Sequence, residues 1–256
     1  MKKVDTKRKY LDLVDEKSVP KTVIRETVKD ILLLAEKELG KKSSEMTVLD
    51  IGSGFGLYAQ ELAKQVKSVV AVEPFADAHN EAVKSNKAKN IHFINALIEN
   101  YKGNEKFDLA ISLTTLEHMP KAEKSFRHVF KYMKKKSLLY ITAPNKFWPV
   151  EPHYALPFLS WFPLPLANLY LKITGKGNSY KDSSYSLSYF GMQRLFNRFP
   201  HKYSFVVPSP DAIYLGCGKQ DLKSATIRRS GIFLIKKFPI FWALSKGFIL
   251  VVKKEE

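Results

Sequence analysis

Apolar positions Ile24, Val28, Ile31, Leu32, Ala35 and Leu39 recur at helical spacing and stop at Gly40, beside Lys41 and Lys42. This predicts an amphipathic helix closed by a glycine. The period then changes. Short, nearly continuous apolar runs at Thr47–Ile51, Ser68–Val72, Ile91–Asn95, Phe107–Ser112 and Ser137–Ala143 read as strands. Ala59, Leu62, Ala63 and Val66 share a helical face after the first run, and Ala122, Phe126, Val129, Phe130 and Met133 share another before the fifth. Apolar strands separated by amphipathic helices imply a parallel sheet covered on both faces and joined by right-handed crossovers. The predicted fold is therefore α/β, doubly wound and Rossmann-like.

From Asn145 to about Tyr189 the periodicity fails, and Pro149, Pro152, Pro157, Pro163 and Pro165 interrupt apolar and aromatic residues. This stretch is expected to form a helical cap inserted after the fifth strand. A helix over about 188–199, a strand over about 203–207 and a last strand over 247–252 return to the core pattern and bring the sheet to seven strands. The expected organisation is an N-terminal helical extension at 1–46, a ligand-binding core at 47–144, the cap at 145–189, and the C-terminal part of the core at 190–256 with an excursion at 209–246.

Composition divides the chain differently. It has 256 residues, 45% of them apolar and 26% charged, which suits a sizeable core and excludes a disordered or collagen-like chain. The formal net charge is +17. Residues 1–46 contribute +3, 47–144 contribute +4, and 145–256, with 16 basic and 6 acidic side chains, contribute +10. The last segment also holds all three Trp and 11 of the 17 Phe, so the basic excess concerns an acceptor or a docking surface rather than the core. A single cysteine, Cys217, excludes an internal disulfide and suits a reducing compartment. No secretory signal follows the Lys-rich N-terminus, and no run reaches the roughly 18 apolar residues of a spanning helix. The expected location is the cytoplasm, in solution or against a membrane face.

The sharpest motif is V-L-D-I-G-S-G-F-G, from Val48 to Gly56. A strand running through closely spaced glycines into a helix sets backbone N–H groups and a helix N-terminus against a ligand. The second strand ends in Glu73, placed where doubly wound folds carry an acid for ribose hydroxyls. Together these features specify a nucleoside-containing ligand. The dinucleotide fingerprint G-x-G-x-x-G does not fit, because its third glycine would fall at Leu57, and no G-K-S or G-K-T follows for a phosphate loop.

At this point the chain resembles the class I S-adenosylmethionine-dependent methyltransferases, whose first motif is D-x-G-x-G-x-G. F-D-L-A-I-S-L-T-T-L-E-H-M, from Phe107 to Met119, is similar to the fourth-strand motif of their small-molecule and ubiquinone-type branch. The resemblance covers about residues 45–145 and the terminal strand. It implies S-adenosyl-L-methionine as cofactor, with Gly52, Ser53, Gly54 and Gly56 at the methionine moiety and Asp50 near its ammonium. It further implies Glu73 at the ribose, Asn95, Ala96 and Leu97 beside adenine, and Ser112 and Leu113 along the methionine. Ala96 and Leu97 stand where many members carry an acid, so adenine recognition is expected to rest on backbone groups.

Methyl transfer to a hydroxyl gains from a base, and histidine suits that task. His118 closes L-E-H, and His153 lies just past the fifth strand between Glu151 and Tyr154. The expected catalytic group is His153, oriented by Glu151, with His118 as a second candidate; the alternative for His118 and Glu117 is to hold a helix start. No metal is expected, because the Cys and His residues show no metal-ligand spacing. Residues 151–163 resemble a cap in methyltransferases encoded with glycan and lipid-glycan assembly functions, which favours a small-molecule, glycan or lipid-linked acceptor and O-methylation. Apolar residues beside Lys172, Lys176, Arg228, Arg229, Lys236 and Lys237 suit either a lid or an anionic membrane surface. Two alternatives stand beside this reading. One is an RNA methyltransferase, opposed by the absence of N-P-P-Y or D-P-P-Y after the fourth strand; the other is an inactive nucleoside-binding docking module.

Overall fold

The computed structural model describes residues 19–212 and 222–255; Cys217 and the Lys-rich N-terminus lie outside them. Five strands alternate with helices from the N-terminal side: β1 (Thr47–Ile51), β2 (Ser68–Glu73), β3 (Ile91–Asn95), β4 (Phe107–Leu113) and β5 (Met133–Pro144). Helix α1 (Lys21–Leu39) precedes them, and α2 (Leu57–Leu62), α3 (Ala76–Ser85) and α4 (Ala122–Tyr132) fall between them. After β5 come β6 (Val150–Glu151), β7 (Leu156–Pro157), α5 (Leu164–Ile173), α6 (Tyr189–Phe196), β8 (Lys202–Phe205), α7 (Leu222–Lys237) and β9 (Gly247–Lys254). The main sheet has seven strands in the order β3-β2-β1-β4-β5-β9-β8, parallel except for β9, which pairs antiparallel with β5 and β8. The order reverses between β1 and β4, which opens a crevice at the C-terminal strand ends.

Alternation along the strands sends side chains to two opposite layers. Val48, Val69, Ala71, Leu109 and Ile111 pack with Val28, Ile31, Leu32 and Ala35 of α1 and with Ala59 and Leu62 of α2. Leu49, Ile51, Val70, Val72, Ala110 and Ile141 pack with Phe126, Val129 and Phe130 of α4 and with Met192 and Phe196 of α6. Both faces are covered, which is why the central strands read as unbroken apolar runs. Helix α1 ends as its pattern predicts, with Gly40 left-handed at φ 62° and its N–H donating to the Glu36 carbonyl.

Three expectations change in detail. Strand β5 begins at Met133 rather than Ser137, because its register against β4 shifts between Phe107 and Leu109 and Lys136 turns at φ 54°. Residues 145–189 hold one α-helix, α5, with a two-stranded ladder and short 3-10 turns. They surround a small core of Leu156, Leu159, Ala167, Leu171 and Tyr180. The 209–246 excursion contains the long helix α7 and a 3-10 helix at Pro239–Leu244, whose Trp242 returns to the main core beside Phe205 and Phe248. Among the described residues no helix is long and apolar enough to cross a membrane.

The opposite, N-terminal edge of the sheet is tied by a charge. Asp108 is buried at the start of β4 and accepts from Lys41 Nζ (2.8 Å), Lys134 Nζ (2.8 Å), the Thr47 N–H (2.9 Å) and Thr47 Oγ1 (3.0 Å). Burial alone would raise its pKa, but the two ammonium groups and Thr47 outweigh burial and hold it at about 2. A depressed carboxylate contributes stability above its unfolded pKa of about 4 and loses that contribution as pH falls toward the folded value. Asp108→Asn is therefore expected to cost about 1–3 kcal/mol at pH 7 in urea unfolding. The gap from the unaltered chain should close between about pH 4 and pH 2; a gap unchanged at pH 2 would assign the loss to packing.

Candidate functional site

The glycine loop follows from where β1 ends. Gly52 sits at φ 72°, and a β-carbon there would come within 2.3 Å of Thr115 Cγ2. The loop must therefore be bare at that point for β4's following turn to close over it. At Gly56, φ 71°, a β-carbon would meet the Phe93 ring at 2.7 Å, so this glycine lets α2 start close against β3. Gly52 and Ser53 donate their N–H groups to the Val72 carbonyl, which folds the loop onto the end of β2.

Glu73 holds that arrangement. Its Oε2 accepts from the Gly54 N–H at 2.8 Å and its Oε1 from the Phe75 N–H at 2.9 Å, with the residue 2% exposed. The acid thus braces the loop and also lines a cavity of about 220 Å³. The cavity is walled by Asp50–Ser53, Tyr58, Val72–Phe75, Leu97–Glu99, Leu113–Thr115, His118–Pro120, Val19 and His153. Its walls come from the C-terminal ends of β1, β2 and β4, the turn after β3, and one residue of the segment after β5. Two buried carboxylates, Asp50 and Glu73, are set among apolar side chains there. Such a donor set fits a ligand with an ammonium group, ribose hydroxyls and a flat base.

Of the residues expected at the cofactor, Asp50, Gly52, Ser53, Glu73, Leu97 and Leu113 line the cavity. Gly54, Gly56, Asn95, Ala96 and Ser112 stand behind them: Asn95 Nδ2 and the Ala96 N–H both donate to the Glu73 carbonyl, at 2.8 and 3.1 Å, and Ser112 is fully buried. Lining residues that sequence reasoning did not single out include Tyr58, Phe75, Glu99 and Thr114. Phe75 has a sequence signal, two positions after the β2 acid. Thr114 has none, although it occupies φ 47°, a conformation that costs a β-branched residue energy and sharpens the turn between β4 and the L-E-H stretch.

At the far side of the cavity two histidines converge. Leu116–His118 forms a 3-10 turn that buries Glu117. His118 Nδ1 lies 2.7 Å from the Asp182 carbonyl, which only accepts, so Nδ1 carries the proton and Nε2 is the basic nitrogen. Burial, helped by the neighbouring His153, pushes the His118 pKa down to about 4 and keeps the ring neutral. His153 Nδ1 is 2.6 Å from Glu151 Oε1, and Glu151 Oε2 accepts the Tyr154 N–H at 2.8 Å. Burial opposes charge on His153, but the Glu151 hydrogen bond and the charges of Glu151 and Glu117 outweigh it and raise its pKa. Glu117 moves the opposite way from a surface carboxylate: burial pushes it up to about 7 against the pull of His153. The two imidazoles meet edge to face, with centroids 5.2 Å apart.

The fold also brings together side chains in which the sequence spacing shows no metal-ligand pattern. Glu117, His118 and His153 each place one donor atom within 4.8 Å of the other two, and Glu117 Oε2 and His118 Nε2 are buried without a hydrogen-bond partner among the described residues. Their sequence spacing carries no such signal, because the three residues come from the turn after β4 and from the β6–β7 connection, which only tertiary folding joins.

Residues 22–185 match a family described as a methyltransferase domain. The ubiquinone biosynthesis O-methyltransferase of Rickettsia canadensis is 28% identical over 106 residues, 40% of this chain and 44% of that protein. The mitochondrial ubiquinone biosynthesis O-methyltransferase of Rattus norvegicus is 30% identical over 114 residues, 42% of this chain and 33% of that protein. The matched stretch thus spans less than half the length of either relative. Among solved structures, the plantazolicin methyltransferase BpumL in complex with a pentazolic desmethylPZN analog and SAH aligns with a TM-score of 0.60 at 15% identity, over 94% of this chain and 88% of that one. That likeness is one of fold.

Proposed function

Because the chain belongs to the class I S-adenosylmethionine-dependent methyltransferase family, we propose that it transfers a methyl group from S-adenosyl-L-methionine to a hydroxyl oxygen of a small-molecule, glycan or lipid-linked acceptor. One observation carries the reading: the loop and acids suited to the nucleoside share a single cavity with His118 and His153. The bound sulfonium supplies an activated methyl group. The chain's own work is alignment and exclusion of water, since an in-line displacement is limited by geometry. Asp50 would take the ammonium, Glu73 would take the ribose hydroxyls while bracing Gly54, and Leu113 would pack along the methionine. With Nδ1 of His153 engaged by Glu151, its Nε2 accepts the acceptor's proton, and Glu151 and Glu117 balance the resulting imidazolium.

A second reading of the same pocket is favoured by the two buried donors without partners. Glu117, His118 and His153 would hold a divalent cation that lowers the pKa of the acceptor hydroxyl and fixes its orientation. One experiment addresses both readings. Labelled methyl transfer into cell extract, separated into lipid, glycan, RNA, protein and small-molecule fractions, is expected to mark the lipid, glycan or small-molecule fraction. Label confined to RNA or protein would reject the acceptor class, and label in no fraction would leave the docking-module alternative. Loss of labelling with EDTA, restored by Mg2+, Mn2+ or Zn2+, selects the metal reading; labelling unaffected by EDTA selects the base.

A further inference from the structure

The exposed apolar side chains of this protein are not scattered. Apart from Leu33, Val83 and Phe190, the large ones among the described residues gather in two stretches, 147–173 and 227–244, which both lie at the C-terminal edge of the sheet. The first leaves from the end of β5, and the second runs from beyond β8 to the start of β9 at Gly247, which pairs with Pro144. Asn145 staples them together: its Nδ2 donates to the carbonyls of Ala243 (2.9 Å) and Ser245 (2.8 Å), and its N–H to that of Lys246.

Helix α5 shows why this surface is not an ordinary solvated face. It buries Ala167 and Leu171 inward, as a surface helix should, but turns Leu166, Leu169 and Ile173 outward, with Ile173 76% exposed. Beside it, Phe158 and Trp161 pack edge to face at 4.8 Å while both stay exposed. In the second stretch Ile227, Phe233, Phe238, Ile240 and Leu244 are exposed in the same way. Contiguous apolar exposure of this kind marks an interaction site.

Charge identifies the occupant. Between residues 145 and 181 the one acidic residue is Glu151, which is 1% exposed and paired with His153, and 222–246 contains none. Against that stand Lys146, Lys172, Lys176 and Lys181 in the first stretch and Arg228, Lys236, Lys237 and Lys246 in the second, with Arg229 paired to Asp211 at 3.0 Å. Exposed leucine, isoleucine, phenylalanine and tryptophan amid cations, with no exposed acid inside either stretch, match the headgroup–acyl boundary of an anionic bilayer. A second copy of the chain would bring two positive surfaces together, and RNA would leave the aliphatic side chains without a stacking partner.

We propose that residues 146–176 and 227–246 form one peripheral docking surface for anionic membranes, at the edge of the fold where the cavity opens. The inference does not rest on methyl transfer, and its test reads lipid binding alone.

The test is flotation of the whole protein with vesicles of phosphatidylcholine alone or with 30% phosphatidylglycerol, followed by the same assay in 0.5 M NaCl. Flotation with the anionic vesicles and at least tenfold weaker binding to neutral ones or in high salt is the expected result. Lys236→Glu/Lys237→Glu should weaken binding by well over tenfold, at about fivefold per charge lost. Leu169→Glu and Phe233→Glu, both exposed and outside the core, should abolish it with unchanged circular dichroism. No flotation with either vesicle, or equal flotation with both, overturns the proposal. So does a dimer by light scattering, or tighter binding to a 20-nucleotide RNA than to anionic vesicles, that Leu169→Glu or Phe233→Glu abolishes.

Discussion

Replacing His153 by alanine is expected to lower turnover by about 100- to 10,000-fold, the range by which a positioned general base accelerates proton transfer. Affinity for S-adenosylmethionine should stay within about twofold, because the loop, Asp50 and Glu73 are untouched. Glu151→Gln keeps an oxygen near Nδ1 but removes the charge that stabilises the imidazolium, so its loss should be smaller, about tenfold. His118→Ala separates the two readings of the pocket. Under the base reading it leaves turnover within a few-fold, since that imidazole stays neutral; under the metal reading it falls as far as His153→Ala. Steady-state kinetics with the acceptor recovered from the labelling experiment decide among these outcomes. Full turnover by His153→Ala removes the residue from the mechanism under either reading.

Glu73→Ala carries the second large effect, on binding. The carboxylate accepts two buried N–H groups, from Gly54 and Phe75, before any ligand is considered. Its removal strands both donors and takes away the proposed partner of the ribose hydroxyls. Hydrogen bonds to a charged group contribute about 1.5–3 kcal/mol each, so loss of the ribose contacts should weaken S-adenosylmethionine binding about 100-fold or more. The stranded donors should also lower unfolding stability by about 1–3 kcal/mol. Calorimetry and urea unfolding measure the two separately. Glu73→Gln, which keeps one acceptor oxygen, should recover part of each. Unchanged affinity in Glu73→Ala would remove the nucleoside from this cavity.

The dual position of Glu73 shows what pattern reading reaches and where it stops. An acid at the end of β2 is legible because strand and loop are local, each defined by a few adjacent residues. That the same acid anchors the loop through Gly54 is not legible, because the contact joins two strand ends whose distance depends on the sheet's register. Gly56 gives the converse case. Its place in the motif suggests a ligand contact; in the fold a β-carbon there would also clash with Phe93 and Ala82, a requirement that no local pattern announces.

The strand and helix periods, the glycine loop, its acidic partner and the segregation of basic and aromatic residues into the second half were all determined by the sequence alone. Each depends on neighbours within a few residues or on composition. Only the tertiary structure decided that Glu117, His118, Glu151 and His153 form one cluster whose two histidines line the cavity at the glycine loop, and that the two apolar, acid-poor stretches share one edge. The physical reason is the same for both. A parallel sheet gathers the C-terminal ends of strands far apart in the chain, and what those ends build together is set by register and packing rather than by spacing.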